Sequence, residues 1–523
     1  MLEAMVDAAQ QLFTPGPMIA FFLMIPIALV AGLMPGGGLP FIVVVLSFTT
    51  ELEPFTAFAL IIGYMAANDL TEPIPSILLG IPGARSSQAT ILDGYPMAKK
   101  GQAGIAIGAS YTASLIGGVI GAIALLAVLP FARELLKLFG APEFFLLSLL
   151  GIASVGIISA GALSKGLLTA ALGLFIGMIG FNDTVGTTRA TFGLDYLWDG
   201  IDIIPVVVGL FAFPEIADLV ISNTAVAKTR MEEMLKEGRR DTMRGMQEAL
   251  RHKWLIVRSS LIGVFIGAMP GLGPTPAHWI AYAQARQTEP GAKETFGTGD
   301  IRGVIAPESA NNSTDGGVLI PTLLFAIPGS APMAIVLGAL ILLGIQPGPQ
   351  MVQTHLDLTI AMVYIIALAN IIVVPIVLLF AAPLTKVSVV RPQVLAPVVI
   401  GITSVSAFMA NVTIEDLALV SVFAVLGMFM KAYAWPRPPI LIAIVLTSQL
   451  EKWMSIAIQT RGISMIWQPA FIGIVIFVAV AVFFSLRVQS GTQRVADKTE
   501  EELGDNSKVI GSSLPAREPS AES

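Results

Sequence analysis

The chain has no cysteine, which excludes disulfides, thiolate metal sites and cysteine nucleophiles. Its three histidines, His252, His278 and His355, are too scattered for metal-ligand spacing. Charge is scarce: Asp, Glu, Lys and Arg make up 13% of 523 residues, against 55% hydrophobic residues, a balance foreign to soluble globular domains. There is no Walker A run, no Ser-His-Asp or Cys-His set and no paired-histidine motif. ATP hydrolysis and hydrolytic catalysis therefore have no foothold, and the chain does not read as an enzyme. No large basic patch points to nucleic acid. Not one Lys or Arg occurs between Gly303 and Thr385, so an anion bound there has to be held by neutral donors and helix dipoles.

What is present is apolar chain in lengths suited to a bilayer. Runs near the ~20 residues needed to span occupy 18–34, 104–129, 144–163, 203–220, 358–381 and 471–484. With a mean hydropathy of +0.80, the expected class is an all-α polytopic membrane protein. No Lys or Arg precedes the first apolar region, so no cleavable signal peptide is expected. Residues 1–13 read as a short interfacial helix. Within 104–129 the density of Gly108, Gly117, Gly118 and Gly121 is read as close helix packing.

The segment 305–330 places Asn311, Asn312, Ser313, Thr314 and Asp315 between apolar stretches, followed by Gly316, Gly317, Pro321, Pro328 and Gly329. So many breakers predict a broken helix and a re-entrant hairpin, backbone that a bilayer tolerates only where protein buries it or a polar cavity lies beside it. An earlier copy covers 67–84. Aligning Ile81-Pro82-Gly83 with Ile327-Pro328-Gly329 also pairs Asp69 with Asp315, Pro75 with Pro321 and Ser76 with Thr322. Upstream, Met34-Pro35-Gly36-Gly37-Gly38 matches Met269-Pro270-Gly271-Leu272-Gly273. Paired Gly/Pro-interrupted apolar segments in two halves point to a transporter's midplane site.

Carboxylates beside apolar chain are costly unless paired, hydrated or bound to a cation, so the matched Asp69 and Asp315 are the candidate Na⁺ sites, with H⁺ the alternative coupling cation and no other cofactor. Glu72 is read as a site carboxylate or as an interfacial loop residue with equal weight. Candidate substrate donors are the side chains of Asn311, Asn312, Ser313, Thr314, Ser330, Asn68 and Thr71. Backbone around Gly36, Gly38, Gly271, Gly273, Gly83 and Gly329 would add half-helix N-termini, which favour anions. Pro82, Pro328, Pro75 and Pro321 are assigned structural roles. Arg302 and Glu308 flank the segment and read as solvated loop residues, with a gate charge the alternative for either, and His278-Trp279 reads as an interfacial anchor.

The organisation follows: a first repeat over 1–221, a connecting loop over 222–253, a second repeat over 254–451, a connecting segment with an extra span over 452–486 and a disordered tail over 487–523. Residues 222–253 hold eight Lys/Arg and five Asp/Glu, which places them in the cytoplasm by the positive-inside rule. Lys99-Lys100 then falls inside and 182–202 outside. The matching turn of the second half, 344–349, is free of Lys and Arg, as inverted repeats require.

These residues resemble the TctA family, the large membrane subunit of tripartite tricarboxylate transporters. The resemblance rests on Pro270-Gly271-Leu272-Gly273, Phe296-Gly297, the run from Gly303-Val304-Ile305-Ala306-Pro307-Glu308 to Asn311-Asn312, Gly316-Gly317, Ile327-Pro328-Gly329-Ser330 and Gln346-Pro347-Gly348-Pro349. Ile81-Pro82-Gly83, Asp93-Gly94-Tyr95-Pro96 and Phe213-Pro214-Glu215 carry it in the first half. In place of a Tyr-Gly-Gly-Ser type run, this chain has Asn68-Asp69-Leu70-Thr71-Glu72. The resemblance implies a multi-pass permease of the bacterial inner membrane that works with a small membrane subunit and a periplasmic binding protein, importing carboxylates on a cation gradient. An anion channel and a self-sufficient carrier are the competing expectations.

Overall fold

The computed structural model describes residues 1–476 apart from 34–37, 50, 81, 137–138, 159–162, 183–185, 215, 218–238, 271, 388–396 and isolated positions within 398–412 and 469–474. The tail and most of the expected extra span over 471–484 lie outside the described residues, as do Gly36 and Gly271.

The fold is helical. In chain order α1 is Leu2–Leu12, α2 Pro15–Gly32, α3 Gly38–Ser47, α4 Pro54–Asp69, α5 Pro73–Leu79, α6 Gln88–Lys99, α7 Ala103–Leu136, α8 Ala141–Ile158 and α9 Leu163–Gly177. A small antiparallel hairpin follows, β1 Gly180–Asn182 on β2 Thr187–Arg189, with Phe181 opposite Thr188. Then come α10 Ile203–Val207, α11 Arg239–Arg251, α12 Lys253–Gly267, α13 Pro274–Thr288, α14 Arg302–Phe325, α15 Ala331–Leu342, α16 Leu356–Val387, α17 Ile414–Ala432 and α18 Pro438–Arg461. Among the described residues, four helical stretches are long and apolar enough to cross a membrane: Pro15–Gly32, Ala103–Glu134, Leu356–Leu379 and Pro438–Arg461.

The helix over 305–325 is a correction to the expected break. α14 runs unbroken from Arg302 to Phe325, through Pro307, Gly316, Gly317 and Pro321. Glycine costs a helix about 1 kcal/mol relative to alanine, yet here it lets backbones touch. A Cβ on Gly316 would lie 2.1 Å from the Gly121 carbonyl of α7, and one on Gly317 2.6 Å from the Val264 carbonyl of α12. From the other side, Gly117 and Gly121 abut the backbones of Ser309 and Ser313, and Gly263 abuts Ala310. The small residues of α7 thus do what their density predicts, and α14 is the buried spine between α7 and α12.

In the first copy the chain does break. Pro73 has no N–H to give the Asp69 carbonyl, and Leu70-Thr71-Glu72 separates α4 from α5. Beyond that point the two copies fold alike. Gly80 (φ +68°) and Ala326 (φ +56°) end α5 and α14 in the left-handed conformation, their N–H groups bonded to Pro75 and Pro321 carbonyls. Ser76 donates to the Glu72 carbonyl and accepts from Gly83 N at 3.4 Å; Thr322 donates to the Val318 carbonyl and accepts from Gly329 N at 3.2 Å. A Cβ on Gly83 would strike the Glu72 backbone, and one on Gly329 would strike Val318. Each turn is therefore folded back onto the segment that leads into it, by the same contacts. Of the Gly-rich interruptions, the described one separates α12 from α13, with Gly273 at φ +67°.

Candidate functional site

The two matched aspartates meet. Asp69, at the end of α4, and Asp315, on the inner face of α14, bring their carboxyl groups together at hydrogen-bonding range. No protein donor reaches Oδ2 of Asp315, which is buried. Two acceptors thus face each other, and the contact turns attractive only when a proton or a cation lies between them. Glu72 stands beside this pair. It is 4% exposed and accepts from Ser86 Oγ at 2.7 Å and Asn68 Nδ2 at 3.3 Å, so it is a buried carboxylate and not a loop residue in water. Asn68 Nδ2 also reaches Asp69 Oδ1 at 3.3 Å, while its Oδ1 is buried without a partner.

The amide residues of α14 divide. Asn311 is buried with neither Oδ1 nor Nδ2 bonded. It lies one helical turn before Asp315, and one after Glu308, on the same face. Asn312 donates to Asn370 of α16 at 3.3 Å, leaving its Oδ1 unpartnered. Ser313 and Thr314 turn to the packing interface: Ser313 Oγ donates to the Ser260 and Ala310 carbonyls, and Thr314 Oγ1 to those of Gly263 and Ala310. Thr71 is buried, donates to the Asn68 carbonyl at 2.9 Å and packs on Gly32. Ser330 caps α15 beside Gly273, whose Cβ position would be 3.3 Å from its own. Gly38 opens α3, and Gly83 and Gly329 lie in the two turns. Pro75 and Pro321 are buried within α5 and α14; Pro82 and Pro328 sit in the turns after them.

Two readings of the flanking charges are overturned. Glu308 has no exposed surface and lies inside α14; Thr90 donates to its Oε1, and Ser114 to its Oε2 at 3.4 Å. His278 is equally buried in α13, its Nε2 3.6 Å from Glu308 Oε1. Neither is solvated or interfacial, because α6, α7 and α13 all pack against α14 there. Helical spacing would have revealed Glu308, since it shares a face with Asn311 and Asp315 once α14 is continuous. Arg302 is held by Asp300, with Nη2 to Oδ2 at 2.6 Å and Nε to Oδ1 at 3.0 Å. Burial works to raise the Asp300 carboxyl, but the hydrogen bonds from Arg302 and Thr295 outweigh it and hold it below its ordinary value. The loop before α14 is pinned to the first half: Asp93 Oδ1 accepts the N–H groups of Gly297, Gly299 and Asp300 at 2.8–2.9 Å, and Oδ2 accepts the Tyr282 hydroxyl.

Among the described residues, no group of three or more His, Asp or Glu is arranged to hold a metal ion. What does converge is the Asp69–Asp315 carboxyl pair with Glu72 beside it and the unpartnered Asn68 Oδ1 close by, oxygen atoms of the hard class.

The chain resembles an uncharacterized 52.8 kDa protein in the TAR-I ttuC' 3' region of Agrobacterium vitis, 29% identical over 461 residues, covering 87% of this chain and 89% of that one. A second Agrobacterium vitis relative, an uncharacterized protein in the TAR-II ttuC' 3' region, is 29% identical over 201 residues, 38% of this chain and 83% of its own length. No solved structure matches. The model of the tripartite tricarboxylate transporter TctA family matches residues 18–442. The buried polar seam between the two copies of the motif therefore sits in a transporter, and the chain belongs to the TctA family.

Proposed function

We propose that this chain is the permease subunit of a binding-protein-dependent, cation-coupled transporter that imports a carboxylate, a tricarboxylate or a related organic acid, across the bacterial inner membrane. One observation carries the reading: Asp69 and Asp315, from matching places in the two repeats, face each other, and among the described residues no donor reaches Oδ2 of Asp315. At about 4 Å and an effective dielectric near 20, two like charges repel by about 4 kcal/mol. A cation in the gap removes that penalty, and Na⁺ fits the oxygen donors. Asn68 Oδ1 and Asn311 Oδ1, both buried and unpartnered, complete the ligand set we assign to it.

The substrate carboxylates are assigned to Asn311 Nδ2, the edge of Asn312, Ser330 and the N-terminal ends of α13 and α15. With no Lys or Arg between Gly303 and Thr385, the bound cation supplies the positive charge that these neutral donors lack. Substrate then binds well only to the cation-loaded form, which is the thermodynamic content of symport. We propose opposite orientation of the repeats, with their turns near the membrane midplane, as the geometry for alternating access. A small membrane subunit and a periplasmic binding protein complete the system.

The test is uptake of radiolabelled citrate, as a tricarboxylate probe, into proteoliposomes holding this chain alone or with its small subunit and binding protein. Sodium-gradient-driven accumulation that needs all three supports the proposal. Accumulation by the chain alone would make it a self-sufficient carrier, and flux that never exceeds equilibrium would make it a channel.

A further inference from the structure

Glu308, two helical turns before Asp315 on α14, has no part in the sodium site, and neither do its neighbours Thr90 and His278. All three are without exposed surface. Thr90 Oγ1 donates to Glu308 Oε1 and lies 3.3 Å from His278 Nε2, so one hydroxyl bridges acid and imidazole. Among the described residues no Lys or Arg nitrogen comes within 4.0 Å of Glu308, and His278 Nε2 lies 3.6 Å from its Oε1. His278 Nδ1 is buried with no partner. A carboxyl group wholly out of water persists only when it is paired, hydrogen-bonded or protonated, and a hydroxyl between acid and base is the minimum device for passing a proton between them.

Resting on the transporter reading above, we propose that Glu308, Thr90 and His278 form a second ion-binding site, for a proton, which is loaded and emptied as the protein transports. In the loaded form the proton sits on Glu308. The Glu308 O–H bond breaks as its proton passes to Thr90 Oγ1, and the Thr90 proton passes to Nε2 of a His278 imidazole that carries hydrogen on Nδ1. The products are a carboxylate and an imidazolium; Nδ1 is buried here, so the imidazolium releases its Nδ1 proton to bulk water in a conformation that opens this side of the ring. Glu72 connects this relay to the sodium site, because it lies within electrostatic reach of both Asp69 and Glu308.

The other ionisable groups around the relay shape its titration. Tyr111 of α7 faces Glu308, its hydroxyl buried and unpartnered. From α6, Asp93 holds Tyr282, one turn beyond His278 on α13, and Arg286 lies near Tyr282. From α12, Ser260 reaches the Ser309 carbonyl at 3.5 Å, while Arg258 is committed to Glu289 at 2.8 Å. Thr90 and Ser114 add the hydroxyls that contact Glu308 directly.

Two measurements test the relay independently. The chain has three histidines, so solid-state ¹⁵N spectra of the ¹⁵N-histidine-labelled full chain in lipid can be assigned with His278→Gln. The expected result is an imidazole–imidazolium transition for His278 between pH 5 and 9 whose midpoint moves by at least one pH unit in Glu308→Gln and in Thr90→Val. A single neutral His278 form across that range, unmoved by either variant, would overturn the proposal. In the second measurement, proteoliposomes with the complete system and an internal pH dye take up labelled citrate. The ratio of pH-gradient-driven accumulation to citrate exchange should fall at least tenfold in Glu308→Gln; an unchanged ratio overturns the relay. If the wild type moves citrate on no gradient, the transport reading fails for that probe, and the histidine spectra still decide the relay.

Discussion

Replacing Asp315 by asparagine keeps the shape of the side chain and removes one charge from the facing pair. The structure bounds the size of the effect. A cation seated between two carboxylates at about 4 Å is attracted to each by about 4 kcal/mol at an effective dielectric near 20, and the variant forfeits one of these attractions. The empty variant also escapes the carboxylate–carboxylate repulsion, so the net loss is below that figure. Hydrogen bonds to charged groups, worth about 1.5 to 3 kcal/mol, set the lower bound. A net loss of about 2 to 3 kcal/mol is therefore expected, and with tenfold for every 1.4 kcal/mol the sodium concentration for half-maximal uptake should rise about 30- to 150-fold. The assay is initial citrate uptake by the reconstituted three-component system across sodium concentrations at fixed pH and ionic strength. Asp69→Asn should move the curve in the same direction. A sodium activation curve in Asp315→Asn that superposes on wild type would falsify the shared site, whatever the maximal rate.

Asn311→Ala should raise the KM for uptake by about one to two decades, because both its amide atoms are unspent, while Asn312→Ala should do less, being tied to Asn370; equal, wild-type KM values would place the substrate elsewhere. Gly83→Ala puts a Cβ 2.6 Å from the Glu72 carbonyl oxygen and should cost about 1 to 3 kcal/mol in overpacking, read as a lowered melting temperature in detergent; an unchanged transition would show that the turn is not folded onto Glu72. Ser76→Ala and Thr322→Val each release the N–H of a turn glycine and should destabilise by similar amounts, about 1 to 2 kcal/mol; a large effect in one and none in the other would deny the two turns a common design. The cysteine-free chain suits single-cysteine labelling: Lys99→Cys and Gln350→Cys, both at exposed positions, should react with an impermeant reagent from opposite sides, and reaction from one side would rule out inverted repeats.

What the sequence discloses and what it hides divide along a physical line. The pairing of Ser76 with Thr322 is legible because each member does local work: the hydroxyls bond backbone four residues back and seven ahead, and such bonds are written in the segment itself. The course of α14 is not legible. Gly316 and Gly317 look like breakers because the surfaces that reward them, the backbones of Gly121 and Val264, lie far away in the chain. A break in α14 would hide the spacing that aligns Glu308, Asn311 and Asp315 on one face, and only the continuous helix carries Glu308 into the interior. Ser313 and Thr314 illustrate the reverse. Their chemistry suits a ligand, but the neighbouring helix offers carbonyls at 2.9 and 3.3 Å, and only the packing shows that.

The glycine contacts along α14 constrain motion as well as assembly. At Gly117, Gly121, Gly263, Gly316 and Gly317 the room for a methyl group is under 3 Å, and backbone stands in the way in every case, joined at Gly263 by the Ser313 hydroxyl. Such surfaces mesh like the teeth of a ratchet: advancing α14 along α7 or α12 by a single residue would drive a side chain into a peptide plane. Shear at these two seams is therefore forbidden, and the three helices travel as one body. In the alternating-access cycle proposed above, the displacement would then be taken up across the Asp69–Asp315 gap, where the first copy of the motif is jointed and the second is not.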